Sequence, residues 1–134
     1  MPELGNWPHL MLDCYKCNSK KLDDLHYVYK FLEELPKKLH MNVLCKPYAM
    51  RNDTDTDYGV TGFVVIAESH ISIHTFPKEE YFTMDIYSCK PFDTEKIVPY
   101  IAKHFDSLEC DKHTVFRGRS QIPKREKVTL KVKA

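Results

Sequence analysis

The sequence predicts a single domain that combines strands with helices, and three patterns predict it. Segments with apolar residues at every second position recur along the chain, as in His70-Ile71-Ser72-Ile73-His74, and that period belongs to strands. Two stretches carry the spacing of amphipathic helices: Leu22, Leu25, Val28, Phe31, Leu32, Leu35 and Leu39 in one, Ile97, Val98, Ile101 and Phe105 in the other. The 134 residues suffice for one core without disulfide or metal staples.

Taken in order, residues 1–8 read as a loose lead-in and His9 to Cys17 as a strand. Cys14 and Cys17 are three apart, which on a strand places them on opposite faces, and no second Cys-x-x-Cys completes a zinc set. Asn18 or Ser19 caps a helix from about Lys20 to His40, which Pro36 should kink or end early. Met41 to Met50 forms the second strand, followed by a polar loop to Gly59. The Asp53-x-Asp55-x-Asp57 start of a calcium loop fails, because the glycine and glutamate positions hold Tyr58 and Val64. Strands follow over 59–68, 70–76 and 81–89; in the last, Thr83, Asp85, Tyr87 and Cys89 share one face and Met84, Ile86 and Ser88 the other. Asp93 caps a helix to Phe105, whose start Pro99 delays or bends. A strand near 108–117 precedes a basic tail, in which 127–133 alternates as a lysine-fringed edge strand.

Composition excludes several function classes. Twenty basic residues against nineteen acidic give a net +1, so no global field draws the chain to nucleic acid or anionic lipid. No apolar run approaches the ~20 residues of a membrane span. Met1-Pro2-Glu3-Leu4-Gly5 is not the basic-then-apolar start of a secretion signal, and five cysteines fit reduced thiols in a cytoplasm. Four glycines cannot build a phosphate-cradling loop or dinucleotide fingerprint.

The chemistry concentrates in Ala67-Glu68-Ser69-His70-Ile71-Ser72-Ile73-His74-Thr75-Phe76-Pro77, directly after the apolar run Phe63-Val64-Val65-Ile66. Fifteen residues after His74 comes Cys89, and the chain is expected to hold Ser69, His74 and Cys89 in one pocket. His70 and His74 are four apart, but on a strand that is roughly 13 Å, too far to share a metal. A Ser-His hydrolase would frame its serine with glycines, which Glu68-Ser69-His70 lacks.

Gly59-Val60-Thr61-Gly62, the 66–77 stretch and Met84-Asp85-Ile86-Tyr87-Ser88-Cys89 together resemble the small prokaryotic S-adenosylmethionine decarboxylases, over most of residues 9–105. The resemblance implies self-cleavage between Glu68 and Ser69 into 1–68 and 69–134. Ser69 becomes a covalent pyruvoyl cofactor that forms a Schiff base with the substrate's amine. By the same resemblance His74 handles protons in processing with support from the Thr61 hydroxyl, and Cys89 returns a proton to the substrate. A thiol suits that task because its ordinary pKa of about 8.5 can be tuned toward the operating pH. On an uninterrupted strand Ser69 and His74 would face opposite sides, so a bend near 69–70 or a rearrangement on cleavage is expected.

The implied architecture is a two-layer sandwich, a mostly antiparallel sheet with helices on one face. Two protomers pair sheet to sheet into a homodimer, with pockets near the interface drawn from both. The run 63–67 fits a strand covered on both faces, the second cover coming from the dimer. The family's substrate contacts map to Phe76 and to Lys78, where relatives carry a glutamate that holds the nucleoside. A lysine there removes a hydrogen-bond acceptor, which Glu79 or Glu80 would have to replace. S-adenosylmethionine is the expected substrate, with arginine or ornithine as the alternative on the same scaffold and an inactive partner subunit as a third reading.

Overall fold

In the computed structural model, which describes residues 6–118 and 128–130, one antiparallel sheet organises the chain. Its strands are β1 Trp7–Tyr15, β2 Tyr48–Asp53, β3 Tyr58–Ile66, β4 Ser69–Phe76, β5 Tyr81–Ser88 and β6 Glu109–Arg117. Across the sheet the order is β2-β3-β4-β5-β1-β6. Helices α1 Ser19–Leu22, α2 Leu25–Lys38 and α3 Thr94–His104 cover one face. The alternation read in the sequence sets that face: Leu10, Leu12, Val64, Ile71, Ile73, Phe82, Met84 and Ile86 are buried against Val28, Phe31, Leu32, Leu35, Ile97 and Ile101. The expected two-layer α+β arrangement is the one found.

The other face carries Thr61, Phe63, Val65, His70, Ser72, His74, Asp85 and Tyr87, and no helix lies over it among the described residues. Phe63 is 41% exposed, so the apolar run 63–67 is covered on one side only within a single chain.

Several element boundaries differ from expectation. The single helix over 20–40 is two helices. The Asn18 side chain caps α1 by accepting from the Lys20 and Lys21 amides, and Asp24 caps α2 by accepting from Tyr27 N–H at 3.0 Å. Aspartate is a better cap than helix interior, so Asp23-Asp24 divides the run. Leu25, the first residue of α2, is 38% exposed and leaves the buried stripe. The second strand begins at Tyr48 rather than Met41, because Pro47 has no N–H to give a ladder. Strand β2 then runs on through Arg51-Asn52-Asp53, so the polar loop shrinks to the 54–57 turn, where Thr54 N–H donates to Asp57 O at 2.8 Å. Trp7 and Pro8 belong to β1 rather than to a lead-in, and α3 starts at Thr94 and passes through Pro99 to His104. In the tail, residues 128–130 form no strand; the rest of the expected edge strand lies outside the described residues.

Gly59 and Gly62 set how closely β3 is approached. A Cβ on Gly59 would lie 1.9 Å from Thr75 O of the neighbouring strand, and one on Gly62 would lie 2.5 Å from Leu32 Cδ1 on α2. These contacts fix β3 against β4 and α2, and thereby the height of the turn that follows β3.

Candidate active site

That turn is two residues long. Ala67 and Glu68 join β3 to β4, with Ile66 paired to Ser69, and neither takes the positive φ that two-residue hairpins favour. Two separate segments hold it. The Cys89 N–H donates to Glu68 O at 2.8 Å, and the Ala67 N–H donates to Asn42 O at 2.7 Å. Asn42 in turn donates from its backbone N–H and its side-chain Nδ2 to the two Glu68 carboxylate oxygens, both at 2.9 Å. Burial pushes the Glu68 carboxyl up, but the Asn42 hydrogen bonds and nearby Lys90 outweigh it and hold the group below its ordinary value. Glu68 is therefore an anion clamped on both oxygens, and the carbonyl of the Glu68–Ser69 peptide is already polarised by a backbone N–H.

Ser69 opens β4, paired with Ile66 on one side and Ser88 on the other, so Cys89 follows directly beside it. The imidazole nearest the serine is that of His70, with Nδ1 3.4 Å from Ser69 Oγ. Cys89 is half-buried and continues the parity of Tyr87. Around Tyr87 the outer face is aromatic: its ring centroid lies 5.8 Å from that of His70, 5.4 Å from His9 and 6.4 Å from Trp7. The Arg117 guanidinium stands 4.2 Å over the same ring. His9 Nε2 is buried without a hydrogen bond, 3.6 Å from Asp85 Oδ1.

His74 lies elsewhere. It pairs in register with Thr61, and Thr61 Oγ1 is 3.1 Å from His74 Nδ1. Thr61 and His74 thus form an imidazole–hydroxyl pair across the β3–β4 ladder. No bend occurs at 69–70, because β4 runs without interruption from Ser69 to Phe76. Five residues at about 3.3 Å each put His74 roughly 16 Å along the strand from Ser69. Within one uncut chain, therefore, Glu68, Ser69 and Cys89 come together at one end of β4, and Thr61 and His74 toward the other.

Phe76 and Lys78 share a further cleft at that second end. It has a volume of about 200 Å³ and includes Asp55, Asp57, Tyr58 and Glu79. Lys78 Nζ sits 5.1 Å from the centroid of the Tyr58 ring, and Phe76 stacks on Tyr81 at 5.4 Å. Of the two carboxylates expected to replace the missing acceptor, Glu79 lines this cleft.

A family model described as S-adenosylmethionine decarboxylase matches residues 8–118. The chain belongs to the S-adenosylmethionine decarboxylase family. A Clostridium botulinum (strain Langeland) protein named S-adenosylmethionine decarboxylase proenzyme is 31% identical over 112 residues, 83% of this chain and 93% of its own length. A Methanococcus maripaludis (strain C5) protein of the same name is 33% identical over 126 residues, covering 91% and 96%. The crystal structure of the adenosylmethionine decarboxylase from Aquifex aeolicus VF5 matches with a TM-score of 0.74 at 25% identity, over 94% of this chain and all of that one.

Within this family member, three participants escaped the sequence reading. Asn42 lies in an irregular segment with no motif around it, and tertiary contacts such as the bridge of Val43 to Ile66 and the Leu44 N–H to Val65 O bond bring it to the turn. His70 read merely as one beat of a strand alternation. The Tyr87 cluster joins residues from β1, β4, β5 and β6, and no local spacing announces it.

Proposed function

We propose that this chain is the precursor of a decarboxylase that cleaves itself between Glu68 and Ser69, makes a pyruvoyl group from Ser69, and acts on S-adenosylmethionine. The observation that carries the reading, beside family membership, is the held Glu68–Ser69 bond, with its carbonyl on the Cys89 N–H and its acyl residue clamped by Asn42.

In processing, Ser69 Oγ adds to the Glu68 carbonyl carbon and the amide becomes an ester, the serine proton passing to an imidazole. Negative charge develops on Glu68 O, where the Cys89 N–H already points. Elimination then frees the Glu68 carboxylate, and hydrolysis of the new N-terminal dehydroalanine releases ammonia and leaves the pyruvoyl carbonyl.

The residues present fit that group: it would begin β4 between Ile66 and Ser88, with Cys89 alongside and Tyr87 within the same cluster. Once formed, the group supplies an electron sink for a carboxylate leaving as CO₂. Cys89 holds a proton on its thiol beside the place where the substrate's α-carbon must lie. The Tyr87, His9 and Trp7 rings offer flat surfaces for an adenine or attraction for a sulfonium, worth about 0.5–2 kcal/mol per good contact.

Thr61 and His74 complete the site from a second copy of the chain. Two copies packed by their uncovered sheet faces would cover Phe63 and bring one chain's His74 end over the other's Ser69 end. This removes the ~16 Å gap that a single extended strand cannot close.

Intact-mass analysis of freshly purified protein tests the cleavage, and a CO₂-release assay with S-adenosylmethionine, arginine and ornithine side by side tests the substrate. Fragments 1–68 and 69–134, the latter beginning with pyruvoyl, and turnover of S-adenosylmethionine above the other two are expected. An active but uncut chain would refute the processing; inertness toward S-adenosylmethionine would refute the substrate.

A further inference from the structure

Behind the processing turn, on the helix side, lies a cavity of about 510 Å³ between the end of α2, the segment after β5 and the start of α3. Its lining is basic: Lys38, Lys90 and Lys96 reach it, with His40 beside them and the rings of Phe92 and Tyr100 as apolar wall. One carboxylate is present, that of Asp93, and its Oδ1 is occupied in accepting the Glu95 and Lys96 amides at 3.0 and 3.2 Å. The lysines are only partly compensated. Lys38 Nζ rests 5.3 Å over the Tyr100 ring, Lys90 Nζ donates to His40 O at 2.7 Å and lies near the Glu68 carboxylate, and the Lys96 side chain has no partner among the described residues. Three lysines line one concavity whose own carboxylate is already engaged, so an anion entering there meets a net excess of positive charge.

We propose that this cavity binds a phosphate-bearing small molecule of nucleotide size and that its occupancy controls self-cleavage. A volume of about 510 Å³ falls within the range of small-molecule sites and exceeds what inorganic phosphate needs. The link to the turn is short on both sides. Lys90 follows Cys89, whose N–H holds the Glu68 carbonyl, and His40, which accepts from Lys90, is two residues from Asn42, which holds the Glu68 carboxylate. A polyphosphate that draws Lys90 off His40 O loosens the 40–42 segment and both grips on Glu68. The control, though not the binding, rests on the reading that Glu68–Ser69 is the cleaved bond.

Binding is measured by calorimetry on the full-length Ser69→Ala chain, which cannot cleave, titrated with ATP, pyrophosphate and adenosine. ATP and pyrophosphate should bind saturably and adenosine should not, with affinity falling about tenfold in Lys96→Ala and again on raising salt severalfold. ATP binding well above pyrophosphate identifies a nucleotide ligand, and equal binding identifies the phosphate moiety alone. No saturable binding by either phosphate compound, or unchanged affinity in a Lys38→Ala/Lys96→Ala chain of native circular dichroism, overturns the site. In the wild-type precursor, saturating ligand should lengthen the cleavage half-time about threefold, with Lys96→Ala cleaving at the ligand-free rate. An unchanged half-time despite measured binding overturns the control. A wild type that never cleaves refutes the processing reading and the control with it, while the calorimetric result stands on its own.

Discussion

If each site takes Ser69 and Cys89 from one chain and Thr61 and His74 from another, two dead variants should repair each other. Ser69→Ala cannot make the ester, and His74→Ala lacks the distant imidazole. In a homodimer of either, both sites are defective. A heterodimer has one site with Ser69 intact and the partner's His74 intact, and one site with neither. Random pairing of equal amounts puts about half of each variant's chains in heterodimers, so about half of the His74→Ala chains should be cleaved. The 3.1 Å Thr61–His74 contact and the unbroken register of β4 leave little room for His74 to reach its own chain's serine. Co-expression with a tag on the His74→Ala chain alone, purification by that tag and intact-mass analysis reads the result directly. Cleavage of the co-expressed His74→Ala chain at no more than its level alone would refute the two-chain site. Complete cleavage of His74→Ala by itself would move the base role to His70, whose Nδ1 lies 3.4 Å from Ser69 Oγ.

Four further outcomes follow from particular contacts. Asn42→Ala removes one hydrogen bond to an exposed carboxylate, about 0.5–1.5 kcal/mol, and should slow cleavage roughly 2- to 10-fold by gel densitometry, with Asn42→Asp slower still because it sets a second anion against Glu68. Cys89→Ala keeps the backbone N–H and should still cleave, but CO₂ release should stop early as the pyruvoyl converts to alanine, seen by mass; unchanged steady turnover would remove Cys89 from catalysis. Lys78→Glu should lower the KM for S-adenosylmethionine if the Phe76–Glu79 cleft takes its ribose, and an unchanged KM would place the nucleoside elsewhere. Burial among the Tyr27, Phe31 and Phe105 rings pushes the His104 imidazole below its ordinary value. Its stabilising contribution is therefore full above the unfolded pKa of about 6.5 and is lost as pH falls, so His104→Phe should flatten the decline in Tm between about pH 7 and 5.

How much of this was legible in the chain depended on the range of the interaction. The core positions of β3, β4 and β5 followed from alternation, since a side chain's face on a strand is fixed by its parity. Asn18, Asp93 and the segments around them were legible because capping is decided within three residues. The second strand was misplaced because the apolar content of 41–50 outweighed Pro47, and because Arg51-Asn52-Asp53 looked like loop although an edge strand tolerates polar side chains on its open side. The site divides the same way. Thr61 with His74 and Glu68 with Ser69 are hairpin neighbours, within reach of motif. Asn42 and the Tyr87 cluster depend on segments brought together only by the fold.

The uncovered sheet face and the separated half-sites are one problem rather than two. Thr61, Phe63, His70 and His74 share that face, and Phe63 at 41% exposure sits between the two ends of β4 that hold the chemistry. A cover made of any other protein would bury Phe63 but would supply no second Thr61–His74 pair. A helix of the same chain would bury Phe63 and seal His74 away from every Ser69. A second copy, turned about a twofold axis in the plane of the interface, would bury the apolar residues against their own equivalents and lay each chain's His74 end against the other's Ser69 end. Replacing Phe63 with a charged residue such as Lys should therefore abolish pairing and cleavage together while leaving the helix-covered core intact. Loss of one without the other would show that the cover and the site are separate after all.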